Sequence, residues 1–184
     1  GDDPKQGIVD GAKFTHPELR LAFQAPTGFY MVNGTRSVSV SGQAGKAEFT
    51  SAAYNGNLDA YVRSAFAGLT ESGQAAVTPQ AIETTTVNGL RAAYGTARVQ
   101  ASSGTVDVVV FAYDFGDGKA YHFVAIAQAG GAAVFNPMFR SMRRISTSEA
   151  GAIKPRRLSV VTVRSSDTVQ SLAARMAYDD AKVE

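Results

Sequence analysis

His16 and His122 are the only histidines in this 184-residue chain, and cysteine is absent, so the chemistry open to it is narrow from the start. A zinc peptidase centre needs His-Glu-x-x-His on one helix, where two imidazoles share a face and the glutamate polarises a water. Here His16 precedes Pro17 and His122 lies inside the apolar run Tyr121 to Ile126. Each stands alone, so neither is expected to hold a metal. Asp114 and Asp117, set among Gly116 and Gly118, have the look of a calcium loop. The alternating acids and the distal bidentate glutamate of such a loop are missing, and a hairpin turn is the expectation. No Gly-x-Ser-x-Gly elbow and no glycine-rich phosphate loop occurs. A Ser-His-Asp arrangement is recognised by geometry and not by spacing. No catalytic and no metal-binding residue is therefore assigned, and no cofactor is expected within these residues.

Charge gives a second candidate. The formal net charge is +2, yet residues 140 to 164 hold seven Lys or Arg against one acid, Glu149, a local +6 that leaves −4 for the remainder. Arg140, Arg143, Arg144, Arg156 and Arg157, with Lys154, form a candidate patch for an anionic partner such as lipid headgroups or an acidic protein surface. The bland alternative is a solvated helix face followed by a soluble linker. Nucleic acid is not expected, because no aromatic residues interleave the arginines as stacking platforms.

The elements that must position these residues centre on Gln80 to Gln128. Ile82 to Val87 is β-branched and runs into Asn88-Gly89, the pair that best supplies the two positive φ angles of a type I′ hairpin. Leu90 to Val99, Thr105 to Phe115 and Lys119 to Gln128 then follow as strands, with turns at Ala101–Gly104 and Gly116–Gly118. In the third strand Val106, Val108, Val110 and Ala112 share one face while Val109, Phe111 and Tyr113 share the other. The fourth alternates likewise, with Tyr121, Phe123 and Ala125 against Val124 and Ile126. Both faces are apolar, so both need cover.

Upstream, residues 1 to 13 read as a frayed leader. Leu19 to Gln24 reads as a strand before Pro26-Thr-Gly28, Phe29 to Val32 and Ser37 to Ser41 as a hairpin around Asn33-Gly34, and Lys46 to Tyr54 as a further strand. Leu58, Tyr61, Val62, Ala65, Phe66 and Leu69 recur at helical spacing behind Asn57, a good N-cap. A second helix is expected from Asn136-Pro137, with Asn136 as its cap. Met138, Phe139, Met142 and Ile145 face inward on it, and Arg140, Arg143 and Arg144 face outward. Residues 147–156 read as a linker, and 157–184 as a strand (Leu158 to Arg164) plus a helix opened by Asp167-Thr-Val-Gln170. A unit that small has to dock on the main domain or belong to something larger. Length and an apolar fraction of 45% fit one full domain of 14–146 and part of another. No run of 18 apolar residues exists to span a membrane. The opening Gly1-Asp-Asp-Pro, without methionine or signal pattern, reads as a mature or engineered fragment.

In order and length of elements, residues 14 to 146 resemble a PsbP-like α/β/α sandwich, an α+β fold with helices packed on an antiparallel sheet. Val161 to Met176 resembles the first half of a LysM module, with Asp167, Thr168, Leu172 and Ala173 matching and Ser166 standing where glycine is usual. That resemblance implies N-acetylglucosamine polymers, and so peptidoglycan, as a ligand of Ser166, Asp167 and Thr168. Leu19 to Phe29, Val32 to Thr35 and this tail together resemble the C-terminal region of bacterial BepA-like, His-Glu-x-x-His zinc peptidases. The implied function is a non-catalytic accessory or recognition region of a periplasmic or envelope metallopeptidase, its zinc held upstream. Its partners would be that peptidase domain or a protein substrate. The alternative is a free-standing PsbP-like binding or assembly module. Oligomeric state is left open.

Overall fold

In the computed structural model, which describes residues 7–70, 76–153 and 168–183, strands dominate. The chain begins with β1 (Ile8–Asp10), β2 (Lys13–His16) and β3 (Leu21–Gln24), followed by β4 (Tyr30–Asn33), β5 (Val38–Gly42) and β6 (Gly45–Ser51). After α1 (Leu58–Gly68) come β7 (Glu83–Val87), β8 (Leu90–Ala101), β9 (Gly104–Gly116) and β10 (Lys119–Gln128). A 3-10 turn at Ala132–Phe135 leads into α2 (Asn136–Ser141), then β11 (Arg143–Arg144), α3 (Thr147–Ala152) and α4 (Val169–Val183).

All pairings are antiparallel. One sheet has seven strands in the order β4-β5-β6-β10-β9-β8-β7, and a smaller one runs β1-β2-β3-β11. Asn88 and Gly89 take φ of 48° and 82°, which lets Val87 face Leu90 across the β7–β8 turn as the Asn-Gly pair predicts. The expected alternation in β9 and β10 also holds. Val106, Val108, Val110, Ala112, Val124 and Ile126 pack under α1 and α4. Val109, Phe111, Tyr113, Phe123 and Ala125 pack with Phe14, Phe23 and α2 on the opposite face. The result is an α+β sandwich: a large sheet with two helices on one side, and a small sheet plus α2 on the other.

An aromatic cluster locks the second side. Phe23 lies 5.1 Å from Phe14, 5.0 Å from Phe49 and 4.8 Å, edge-on, from Phe123 between ring centroids. Rings at these separations add directional attraction to the area they bury. At Gly45 an added Cβ would come 2.5 Å from the Ile126 carbonyl oxygen, so the close approach of β6 to β10 needs a residue without a side chain.

Three expectations change. The residues from Ile8 to Lys13 are not a frayed leader; they form β1 and enter β2, because pairing with β3 and burial of Phe14 hold them. The second helix neither starts with Asn136 as cap nor reaches Ile145. Phe135 is the cap position, and at Met142 the backbone turns to ψ 129°. Arg143 and Arg144 then pair with Ala22 and Leu21 as a strand. Within the expected linker, Ser146 caps α3 by accepting the Glu149 N–H at 3.0 Å. The expected strand at Leu158 to Arg164 lies outside the described residues.

The tail helix docks on the main sheet. Val169, Leu172, Ala173 and Met176 share the core under α1, the Val169 N–H reaches the Leu69 carbonyl at 3.3 Å, and Arg175 Nη2 donates to Glu48 Oε1 at 2.7 Å. Its face therefore completes the cover that the valine-rich face of β9 demands.

Candidate binding groove

Where the two sheets part, the end of β2, the β4–β5 turn, the end of β6 and the start of β10 line a groove of about 480 Å³. Its floor is apolar: Phe14, Val38, Phe49 and Tyr121 are buried, and Leu19 borders them. Its rim is polar, with His16, Thr35, Arg36, Ser37, Thr50 and Ser51. That volume suits a small ligand or a few residues of a peptide.

The β4–β5 turn is held rigidly. The Gly34 N–H donates to the Ser37 carbonyl at 3.0 Å, Thr50 Oγ1 donates to the Arg36 carbonyl at 3.0 Å, and Asn33 Nδ2 donates to the Gly7 carbonyl at 2.6 Å. Ser37 is only 7% exposed, and its hydroxyl has no hydrogen-bond partner among the described residues. An unmatched buried hydroxyl costs about 1–3 kcal/mol. The exposed Arg36 guanidinium forms no ion pair among the described residues. The one acid in the lining, Glu48, is already engaged by Arg175. His16 sits at the rim with its Nδ1 accepting the Leu19 N–H at 3.1 Å.

His122 is in a different place and a different state. It is buried on the α1 side of β10, where Tyr61 Oη lies 2.7 Å from its Nδ1 and 3.3 Å from the Ala120 carbonyl. Burial pushes its pKa from 6.5 down to about 4, so the ring is neutral near pH 7. Burial also raises the Tyr61 hydroxyl, opposed by a hydrogen bond from the Ala52 backbone. Nearby, Tyr54 donates to Asp114 Oδ2 at 2.6 Å, and burial with that bond lifts Tyr54 to about 12. The two histidines lie on opposite faces of the large sheet. Among the described residues no three His, Cys, Asp or Glu side chains converge as metal ligands.

Asp114 and Asp117 serve the hairpin. Asp114 Oδ1 accepts the Gly116 N–H at 2.7 Å, and Asp117 has a φ of 54°. Two members of the arginine patch, Arg143 and Arg144, have partners within the fold. Arg143 makes a two-pronged pair with Glu149 at 2.8 and 3.0 Å. Arg144 does not sit on an exposed helix face; it lies 5.1 Å over the Phe115 ring and donates to the Phe115 carbonyl. Arg140 remains exposed at the end of α2. Lys154, Arg156 and Arg157 lie outside the described residues. So do Ser166 and Asp167 of the expected glycan site. Thr168, the third, is occupied in starting α4: its hydroxyl accepts the Ser171 N–H at 3.2 Å while Ser171 Oγ accepts the Thr168 N–H at 2.9 Å.

Sequence reasoning missed Arg36 and Ser37. The available signal was the pair Asn33-Gly34, which marks the turn, followed by a charged and a hydroxyl residue at the mouth of a strand.

No protein-family model and no curated protein sequence matches the chain. Solved structures do. Cyanobacterial PsbP (CyanoP) from Synechocystis sp. PCC 6803 is similar over 75% of this chain and 94% of its own, at 10% identity and a TM-score of 0.55. A protein from Bacteroides thetaiotaomicron VPI-5482 is similar over 76% of this chain at 13% identity and a TM-score of 0.53, and the chain spans 50% of that protein's length. The fold is thus a PsbP-like α+β sandwich.

Proposed function

We propose that this chain is a non-catalytic binding or assembly module whose recognition site is the groove between its two sheets. The observation that carries the reading is the groove itself: an apolar floor of Phe14, Val38, Phe49 and Tyr121 with a polar rim that includes His16, Thr35, Arg36 and Ser51. Sites of this make-up hold ligands, the apolar surface supplying affinity and a few polar groups fixing orientation. Likeness of fold to CyanoP agrees with a binding role but identifies no partner. The module would act without a metal or cofactor of its own, on a protein partner, in the periplasm or envelope.

The test is photo-cross-linking in the source cells, with a photoreactive residue at Thr35 in the groove rim, Thr85 on the open edge strand β7, or Ser64 on α1. Cross-links concentrated at Thr35 support the reading. Cross-links at Thr85 or Ser64 with none at Thr35 overturn it, as does turnover of casein or an ester by an independently prepared isolated chain.

The narrower reading, an accessory region of a zinc peptidase, rests on the resemblance of Leu19 to Phe29, Val32 to Thr35 and the tail. A parent reading frame with a His-Glu-x-x-His helix upstream of these residues would support it, and a parent without one would overturn it.

A further inference from the structure

We infer that β7, the open edge of the large sheet, pairs with β7 of a second copy of this chain, antiparallel and centred on Thr85, so that two seven-stranded sheets join into one. The two ends of the large sheet differ. At one end β4 is shielded: Met31 is buried, and Asn33 Nδ2 donates to the Gly7 carbonyl beside β1. At the other, β7 pairs only with β8 among the described residues, and Glu83, Thr84, Thr85 and Thr86 are exposed. Edge strands are commonly guarded by lysine, proline, a bulge or a covering segment. Glu-Thr-Thr-Thr-Val has no lysine or proline, and its pairing with β8 runs without a register shift. The groove lies toward the β4 end of the strand order, so the inference stands apart from it.

The hairpin turn decides which backbone groups face outward. A two-residue turn at Asn88-Gly89 is closed by hydrogen bonding between Val87 and Leu90, and bonded and non-bonded pairs alternate away from it. Val87, Thr85 and Glu83 are thus tied to β8, while the N–H and C=O groups of Thr84 and Thr86 point away from the sheet. A two-fold axis at Thr85 sets Thr84 opposite the partner's Thr86, and Thr86 opposite the partner's Thr84. Every outward group of both strands is then bonded, and Thr85 meets the partner's Thr85 as a favourable cross-strand pair.

Charge supports the same register. Glu83, Thr85 and Val87 share the face that carries α2, since Val87 lies in the core there and Tyr94, opposite Glu83, packs against it. In the joined sheet Glu83 stands opposite the partner's Val87, one residue from the partner's Asn88. In each chain the Asn88 amide holds the Arg140 carbonyl at 3.0 Å, so Glu83 comes within side-chain reach of the partner's Arg140. Both residues are exposed, and neither has an ion-pair partner among the described residues. The two-fold therefore supplies opposite charges at both ends of the interface and keeps the two Glu83 carboxylates apart.

The experiment uses the whole chain. Sedimentation from about 10 μM to about 1 mM is expected to show a monomer–dimer equilibrium with a dissociation constant on the order of 100 μM, in keeping with a small interface. Over that range the Thr84 and Thr86 amides are expected to gain protection from hydrogen exchange, while the Thr85 amide, already bonded to β8, does not change. Thr84→Pro removes an outward donor and no bond to β8, and is expected to stay monomeric throughout. Glu83→Arg and Arg140→Glu are each expected to weaken association about tenfold, and the two together to restore it. Because the chain has no cysteine, Thr85→Cys gives one thiol per copy. It is expected to oxidise to a disulfide-linked dimer, since a non-bonded antiparallel pair holds its Cα atoms about 4.5 Å apart; Ser64→Cys on α1 is not. A chain still monomeric at about 1 mM overturns the inference. So does a dimer that survives Thr84→Pro or leaves Thr84 and Thr86 unprotected, and either result leaves the groove to its own cross-linking test.

Discussion

His122 should make the protein acid-sensitive at a pH where its surface carboxylates still stay charged. The ring is buried against Tyr61 and titrates near 4 in the folded state but near 6.5 when unfolded. A depressed folded value means the unfolded chain binds the proton more readily. Stability is then full above about pH 6.5 and is lost as the pH falls toward 4. At 1.36 kcal/mol per pH unit the limiting loss is about 3 kcal/mol, and at pH 5 it is about 2 kcal/mol. The assay is urea unfolding at pH 7.5, 6, 5 and 4.5, with unfolding free energies from linear extrapolation. The control is His122→Gln, whose amide oxygen accepts the Tyr61 proton and does not titrate. Asp107, lowered by Arg98, and Glu149, lowered by Arg143, are shared by both proteins and cancel in the difference. Wild type should lose about 2 kcal/mol more than the variant between pH 7.5 and 5. Parallel losses, or an NMR titration placing the His122 ring near 6.5, would refute the argument from burial.

Three further outcomes are expected. Phe23→Ala opens a cavity among Phe14, Phe49 and Phe123 and should cost about 3–5 kcal/mol in urea unfolding; a cost below about 1 kcal/mol would mean the two sheets are not packed through that ring. Asn88→Ala removes the amide that donates to the carbonyls of Arg140 and Met142 at 3.0 and 2.8 Å and leaves a side chain at φ 48°. It should cost about 1–3 kcal/mol and speed amide exchange in β11, whereas unchanged exchange there would separate the hairpin from α2. Leu172→Ala should loosen α4 from the sheet, seen as faster exchange at residues 169 to 176 with a stability loss of about 2–4 kcal/mol; unaltered exchange would contradict the docking.

Much of the large sheet could be read from the chain because its signals are local. Period-two alternation from Val106 to Tyr113 assigned both faces, Asn88-Gly89 set a turn and a register, and the stripe from Leu58 to Leu69 gave α1. Short elements behaved otherwise. Ile8 to Asp10 is β-branched but only three residues long, and Arg143-Arg144 has little strand character of its own; both become strands through their neighbours β2 and β3, a context effect beyond propensity. In Met142-Arg-Arg-Ile145 the apolar spacing suited a helix, yet pairing with β3 and the bond from Ile145 N–H to the Arg20 carbonyl at 2.9 Å draw it into an extended strand with Met142 and Ile145 still buried. The groove was hidden for the same reason. His16, the Arg36-Ser37 pair, Glu48 and Tyr121 lie apart in sequence and meet only through the folding of the strands, and nothing in the spacing of a serine reveals that its hydroxyl will be buried without an acceptor.

The most direct measurement of the central claim is a 15N amide-shift map of the intact chain titrated with the partner identified by cross-linking. Recognition through the groove predicts that shifts concentrate at Asn33 to Val38, Glu48 to Ser51 and Tyr121 and that Leu19→Arg, which places a charge in the mouth, abolishes them. Shifts confined to the open edge of β7, or a full set that survives Leu19→Arg, would contradict it.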